Sequence, residues 1–283
     1  MSIDVSQEEQ QILDSIKIPV RPKALLTVSE EAEKEEPKFQ VISQAIAEDV
    51  SISSAVLNIV NSAAFRRSNS ISSIDQALNL LGLKRVLAIV NAVAVRNAVK
   101  TDVDLEEFWN LASCVAHASV VIAKELKRSH YGDDAYTLGL FHTAGVPIMM
   151  NRFEGYAEFY QRGEQEGWTL SIAKEKAEYN TTHATIAALM ARQWGLPDSL
   201  TNAIYNQHYA DGIFEDLSMS ETTQSLIGIL KMARHLCHAY MDTGLGDDEW
   251  LQVESQVFDF FKVSEDKWHA ISDAVISALK EQN

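Results

Sequence analysis

The chain has 283 residues, 46% of them hydrophobic, and a formal net charge of -16. That length admits one large domain or two modest ones with a real core, and a surface so acidic repels nucleic acid over most of its area. With 12 Gly and 5 Pro a turn-rich all-β fold is disfavoured, and no run of about 18 apolar residues offers a membrane span.

The opening "MSIDVSQEEQ" is polar and acidic and lacks the pattern of a secretory signal. Cys114 and Cys237 supply no disulfide framework and no Cys-x-x-Cys pair, so the expectation is a cytoplasmic protein with reduced thiols. Residues 1–100 hold 11 basic against 12 acidic residues, and the remainder holds 13 against 28. The asymmetry suggests two parts, 1–100 and 101–283, meeting near the polar break Thr101-Asp102-Val103-Asp104.

Helical periodicity dominates the first part, where five short helices are predicted. In 51–64, Ile52, Ala55, Val56, Ile59, Val60 and Ala63 share one face. In 74–81, Ile74, Ala77, Leu78 and Leu81 do the same, with Ser73 and Gln76 as a capping box. Gly82 is the predicted stop, and Leu83, Val86, Leu87 and Val90 begin the next stripe. The charged run "TVSEEAEKEEP" at 27–37 reads as a solvated helix end or loop. The second part predicts a long helix over 105–127, then helices over 134–150, 153–166, 169–178, 182–194, 198–209, 221–242, 247–260 and 264–281. Gly195-Leu196-Pro197 fits a helix stop followed by a proline start. No alternating strand is convincing, so the expected fold is all-α, in two helical lobes.

Three of the eight histidines fall on apolar stripes. His142 lies with Leu138, Phe141 and Gly145; His183 with Ala187, Met190 and Trp194; His208 with Leu200 and Ile204. Each alone is ordinarily a hydrogen-bonded core residue, but three together suggest a shared pocket. His117 reads as a packed histidine, and surface or helix-end roles suffice for His130, His235, His238 and His269. Hydrolysis assisted by divalent ions wants carboxylates to complete the metal shell, and the residue after His142 is Thr143. Cys114 and Cys237 read as small buried hydrophobes.

The segments "IPVRP" (18–22), "ISQAIAEDVSISSAVLNIVNSAAF" (42–65), "SISSIDQALNLLGLKRV" (70–86), "FW" (108–109), "LGLFHTAGV" (138–146), "THATIAALMARQWGLPDSL" (182–200) and "AIYNQH" (203–208), in this order and spacing, resemble HDOD proteins. That family is an offshoot of the HD phosphohydrolase superfamily. The resemblance implies a modified HD-type helical fold for the second lobe. Carried over residue by residue, the superfamily's first His falls on Leu111, its His-Asp pair on His142-Thr143, its later His positions on His183 and His208, and its last Asp on Arg234. Both carboxylates are replaced. A guanidinium about 4 Å from a dication, at an effective dielectric near 20, repels it by on the order of 8 kcal/mol.

The resemblance therefore implies a non-catalytic, stand-alone signalling or regulatory module that needs no cofactor. It leaves room only for weak, adventitious metal binding at His142, His183 and His208, or for an anion beside Arg234. The implied partners are signalling proteins such as kinase, receiver or cyclic-di-GMP systems. Docking is expected in the groove between the lobes or at Phe65, Arg66 and Arg67. The competing reading is a metal-dependent phosphohydrolase. A third, nucleic-acid binding through Arg66, Arg67, Lys84, Arg85, Arg96 and Lys100, is set against acids balanced over the same hundred residues and is not expected.

Overall fold

The structure, a computed structural model, describes residues 14–16, 22–61, 71–98, 105–210, 212–241, 243 and 248–281. Among them there is no strand, and none of their helices is long and apolar enough to cross a membrane. The fold is all-α. The chain groups into two compact units, one of Pro19–Val99 with Ala278–Asn283, the other of Met1–Ile18 with Lys100–Ser277.

The smaller unit contains α1 (Lys23–Ala32), α2 (Phe39–Glu48), α3 (Val50–Val60), α4 (Ile74–Leu81) and α5 (Leu83–Ala98). Its core is apolar. Leu25, Val28, Ile42, Ile46, Ile52, Val56, Leu78, Val86, Ile89 and Val90 are all buried, each side chain contributing about 1.5–3 kcal/mol through removal from water. The stripe predicted for 74–81 buries Ile74, Ala77 and Leu78 but leaves Leu81 at the margin. Ser73 Oγ accepts from the Gln76 N–H, as a cap should. The Gln76 side chain, however, reaches back to the Ser72 N–H (2.9 Å), one residue further than a standard capping box. Gly82 closes α4 with φ +79°. The run over 27–37 is not a loop throughout. Residues up to Ala32 belong to α1, and Glu31 turns inward to accept from Lys34 and from the Lys38 N–H (3.0 Å).

The larger unit contains α6 (Glu106–Glu125), a 3-10 turn (Ser129–Tyr131), α7 (Gly132–Phe141), α8 (Val146–Arg152), α9 (Tyr156–Glu166), α10 (Trp168–Tyr179), α11 (His183–Gln193), α12 (Asp198–Asn206), α13 (Glu221–Tyr240) and α14 (Asp248–Phe261); α15 (Glu265–Lys280) ends the described chain. The long α6 packs on α7 and α13, and α12 lies between α11 and α13. Phe141, Trp168, Trp194 and Tyr156 are its largest fully buried side chains.

Two predicted helices are corrected. The helix expected over 134–150 is two, α7 and α8, broken at His142–Gly145. Pro147 has no N–H to give to the Thr143 carbonyl, and its ring would crowd that carbonyl; the Val146 N–H bonds it instead, at 2.9 Å. The helix expected over 198–209 ends at Asn206, so His208 lies in the turn beyond α12 rather than on its stripe. Gly145 is held by a close approach. A Cβ there would lie 2.1 Å from the His183 carbonyl oxygen, so the turn and the first residue of α11 meet through a point where only hydrogen fits.

Candidate functional site

Each of the three histidines sits at a helix end. His142 follows the last residue of α7, His183 is the first residue of α11, and His208 lies just past α12. They are 3%, 0% and 4% exposed, so every ring nitrogen needs a partner inside the protein. The ends are fixed locally. Thr182 caps α11, its hydroxyl accepting from the Thr185 N–H (3.0 Å). The Gln207 amide donates to the His142 carbonyl (2.6 Å) and the Ile204 carbonyl (3.1 Å), tying the α7 end to the α12 end.

Two carboxylates complete the arrangement. Glu175, on α10, is fully buried. It accepts from the His183 N–H (2.8 Å), the His183 ring at Nδ1 (3.0 Å) and the Tyr156 hydroxyl (2.5 Å). Burial alone would push its carboxyl up; the His183 ring and those donors outweigh it and hold it below the usual carboxylate range. Glu249, on the first turn of α14, accepts from Lys231 Nζ (2.7 Å) and faces Arg234 Nη1 (3.4 Å) and His208 Nδ1 (3.1 Å). Here too burial opposes the charge, and Lys231, then Arg234, override it and hold the carboxyl well below its ordinary value. Lys231 also donates to the Gln207 carbonyl (2.8 Å), one of those α12 leaves over at its end.

The two halves join ring to ring. His183 Nε2 and His208 Nε2 are 3.0 Å apart, giving a row Glu175–His183–His208–Glu249. Three contacts in that row call for three protons. Burial, the largest influence, with His183 and Arg234 nearby, holds His208 down to about 4, so its ring is neutral near pH 7. Lys231 and Arg234 compensate the Glu249 carboxylate. Trp168 covers the pair, its ring centroid 4.5 Å from His183 and 5.3 Å from His208.

His142 stands apart from the row. It pairs at Nδ1 with the Gly139 carbonyl (2.8 Å) and lines a cavity of about 10 Å³ with Leu111, Thr143, Tyr160, Glu164, Arg234 and His238 among others. Burial, then the Arg234 charge, push it well below the ordinary histidine range. Four positions singled out in the sequence, Leu111, His142, Thr143 and Arg234, therefore share one small space, while His183 and His208 meet each other beside it. His238, read as a surface or helix-end residue, sits in the last turn of α13 and lines this cavity, with Nε2 3.7 Å from Glu164. Phe65, Arg66 and Arg67 lie outside the described residues.

A dication would need several free lone pairs turned toward one point. His183 and His208 turn their Nε2 atoms toward each other at 3.0 Å, and Arg234 adds a fixed charge. Among the described residues no three His, Cys, Asp or Glu side chains are grouped to hold a metal ion. The residues do not fit a metal centre. Beside Arg234, Glu249 already faces the guanidinium, and the cavity of about 10 Å³ is at the lower limit for one water molecule.

Sequence reasoning missed Glu175, Glu249 and Lys231. The only local signal for Glu175 was its place on the stripe of Trp168, Ser171 and Tyr179, all buried. Glu249 sits in the acidic run "GDDEW", which reads as a solvated helix start.

The family model of the HDOD domain matches residues 18–210. An uncharacterized protein of Treponema pallidum (strain Nichols) is 22% identical over 251 residues, covering 88% of this chain and 47% of its own length, so the chain spans about half of that curated relative. Among solved structures, one from Shewanella amazonensis SB2B, provisionally named a phosphohydrolase, is 24% identical with a TM-score of 0.69, covering 97% of both chains. An HDOD domain protein with unknown function from Geobacter sulfurreducens is 16% identical, TM-score 0.63, covering 95% of this chain and 96% of its own. One from Marinobacter aquaeolei VT8, provisionally named a signal transduction protein, is 17% identical, TM-score 0.69, covering all of this chain and 63% of its own. These likenesses show the fold.

Proposed function

This chain belongs to the HDOD family, and on that premise we propose that it is a non-catalytic regulatory module that works by binding signalling proteins in the cytoplasm. The observation that carries the reading is the ring-to-ring contact of His183 and His208 at 3.0 Å. It turns two would-be ligands toward each other and leaves their Nδ1 atoms to Glu175 and Glu249. Thr143 and Leu111 agree with it, since neither brings a charge to its cavity. A site of this kind holds a fold in one arrangement; it does not activate water.

The test has two arms. Purified protein is assayed on bis(p-nitrophenyl) phosphate with added Mn²⁺, Ni²⁺ or Zn²⁺, and the expected rate equals the background without protein. Metal-dependent turnover that disappears in His142→Ala would make the chain a phosphohydrolase and end the proposal. In the second arm a partner captured from the native host is purified and titrated by calorimetry; kinase, receiver and cyclic-di-GMP proteins are the classes expected. Saturable binding supports the reading, and absence of heat with every captured candidate counts against it.

A further inference from the structure

Cys114, on α6, and Cys237, on α13, lie 123 residues apart in sequence, and their Sγ atoms are 2.7 Å apart in the interior. That is closer than two thiols ordinarily pack and longer than a disulfide bond of about 2.05 Å. Both are free cysteines. Each lies one turn beyond a cavity-lining residue of its own helix: Leu111 precedes Cys114 by three positions and Arg234 precedes Cys237 by three. The two sulfurs therefore join the helices beside the His142 cavity.

We propose that Cys114 and Cys237 are an oxidisable pair that a hydroperoxide converts into an intramolecular disulfide between α6 and α13. The chemistry balances in two steps. The Cys114 sulfur attacks the peroxide, taking one oxygen to become a sulfenic acid and releasing an alcohol or water. Cys237 then attacks that sulfur; the S–S bond forms, the S–O bond breaks, and water carries off both the oxygen and the thiol proton. The roles follow from access and environment. Cys114 is 9% exposed and Cys237 is 0%. Burial, with Cys114 alongside, pushes the Cys237 thiol up, which disfavours it as the first to meet peroxide, and its contact with the Cys114 sulfur makes it the resolving thiol. The product fixes the helices carrying Leu111 and Arg234 to each other.

The full chain is treated with hydrogen peroxide near pH 7, denatured in an alkylating reagent and weighed. Expected are loss of both alkylatable thiols, a mass about 2 Da lower, a Cys114–Cys237 peptide and full reversal by dithiothreitol. Closing so long a loop should also raise the thermal midpoint by about 5 °C or more, a shift absent in Cys114→Ser. Two thiols that remain alkylatable, oxygen added to either sulfur in place of the link, or a link between chains would each overturn the proposal. These masses are read on the natural sequence, so the result stands even where the serine variant does not fold.

Discussion

The smaller unit and the larger one are both helical, but they bury different things. In α1–α5 the interior is aliphatic, with Glu31, Ser43 and Asn91 as its buried polar residues among those described. In α6–α14 two carboxylates, a lysine, three histidines and several hydroxyls are buried together. Aliphatic packing is tolerant of exchange at similar volume. An ionised row is not, because each member depends on its partner's charge. The contrast teaches that the larger unit keeps a charged interior by setting carboxylates from α10 and α14 against its buried rings.

The largest expected effect falls on that row. Glu249→Ala leaves Lys231, 3% exposed, and Arg234 without their shared anion and should destabilise the fold by about 3–5 kcal/mol in urea unfolding. A loss under about 1 kcal/mol would mean that the row contributes no more than an aliphatic contact. Next is acid. The unfolded His208 ring takes its proton near 6.5, but the folded one only at about 4. The unfolded state therefore binds protons first, and stability is lost as the pH falls through that window, by on the order of 3 kcal/mol for this one ring. Residues 19–99 contain no histidine, so hydrogen exchange should quicken in α11–α13 before α1–α5. Simultaneous loss in both would break the comparison. Glu31, held low by Lys34 first and the Lys38 N–H next, yields its share only below the ordinary carboxylate range. The smallest effect belongs to the aliphatic unit: Ser73→Ala removes one cap and should lower stability by about 1 kcal/mol, with no change in the acid profile.

The helices were legible because their signals are local. Apolar period marked α3, α4 and α5, and Gly82 and Gly195 marked stops that the backbone makes, both with positive φ. Pro147 was equally local, but the apolar run around it concealed the break between α7 and α8. The buried state of His142, His183 and His208 could be read from their stripes, although His208 reaches the interior from a turn. The carboxylates could not be read. Glu249 meets His208 from 41 residues away, and an acid on an amphipathic helix looks the same whether it faces water or a buried cation. Cys114 and Cys237 were opaque for the same reason, since nothing local shows that two small apolar positions on different helices touch.

Gly145 sets the spacing of the histidine-bearing segments without using a single side-chain bond. The turn after His142 and the start of α11 touch main chain to main chain, so their separation outlives any exchange of the rings above them. The frame that presents His142 and His183 is therefore set by the one residue between them with no chemistry at all.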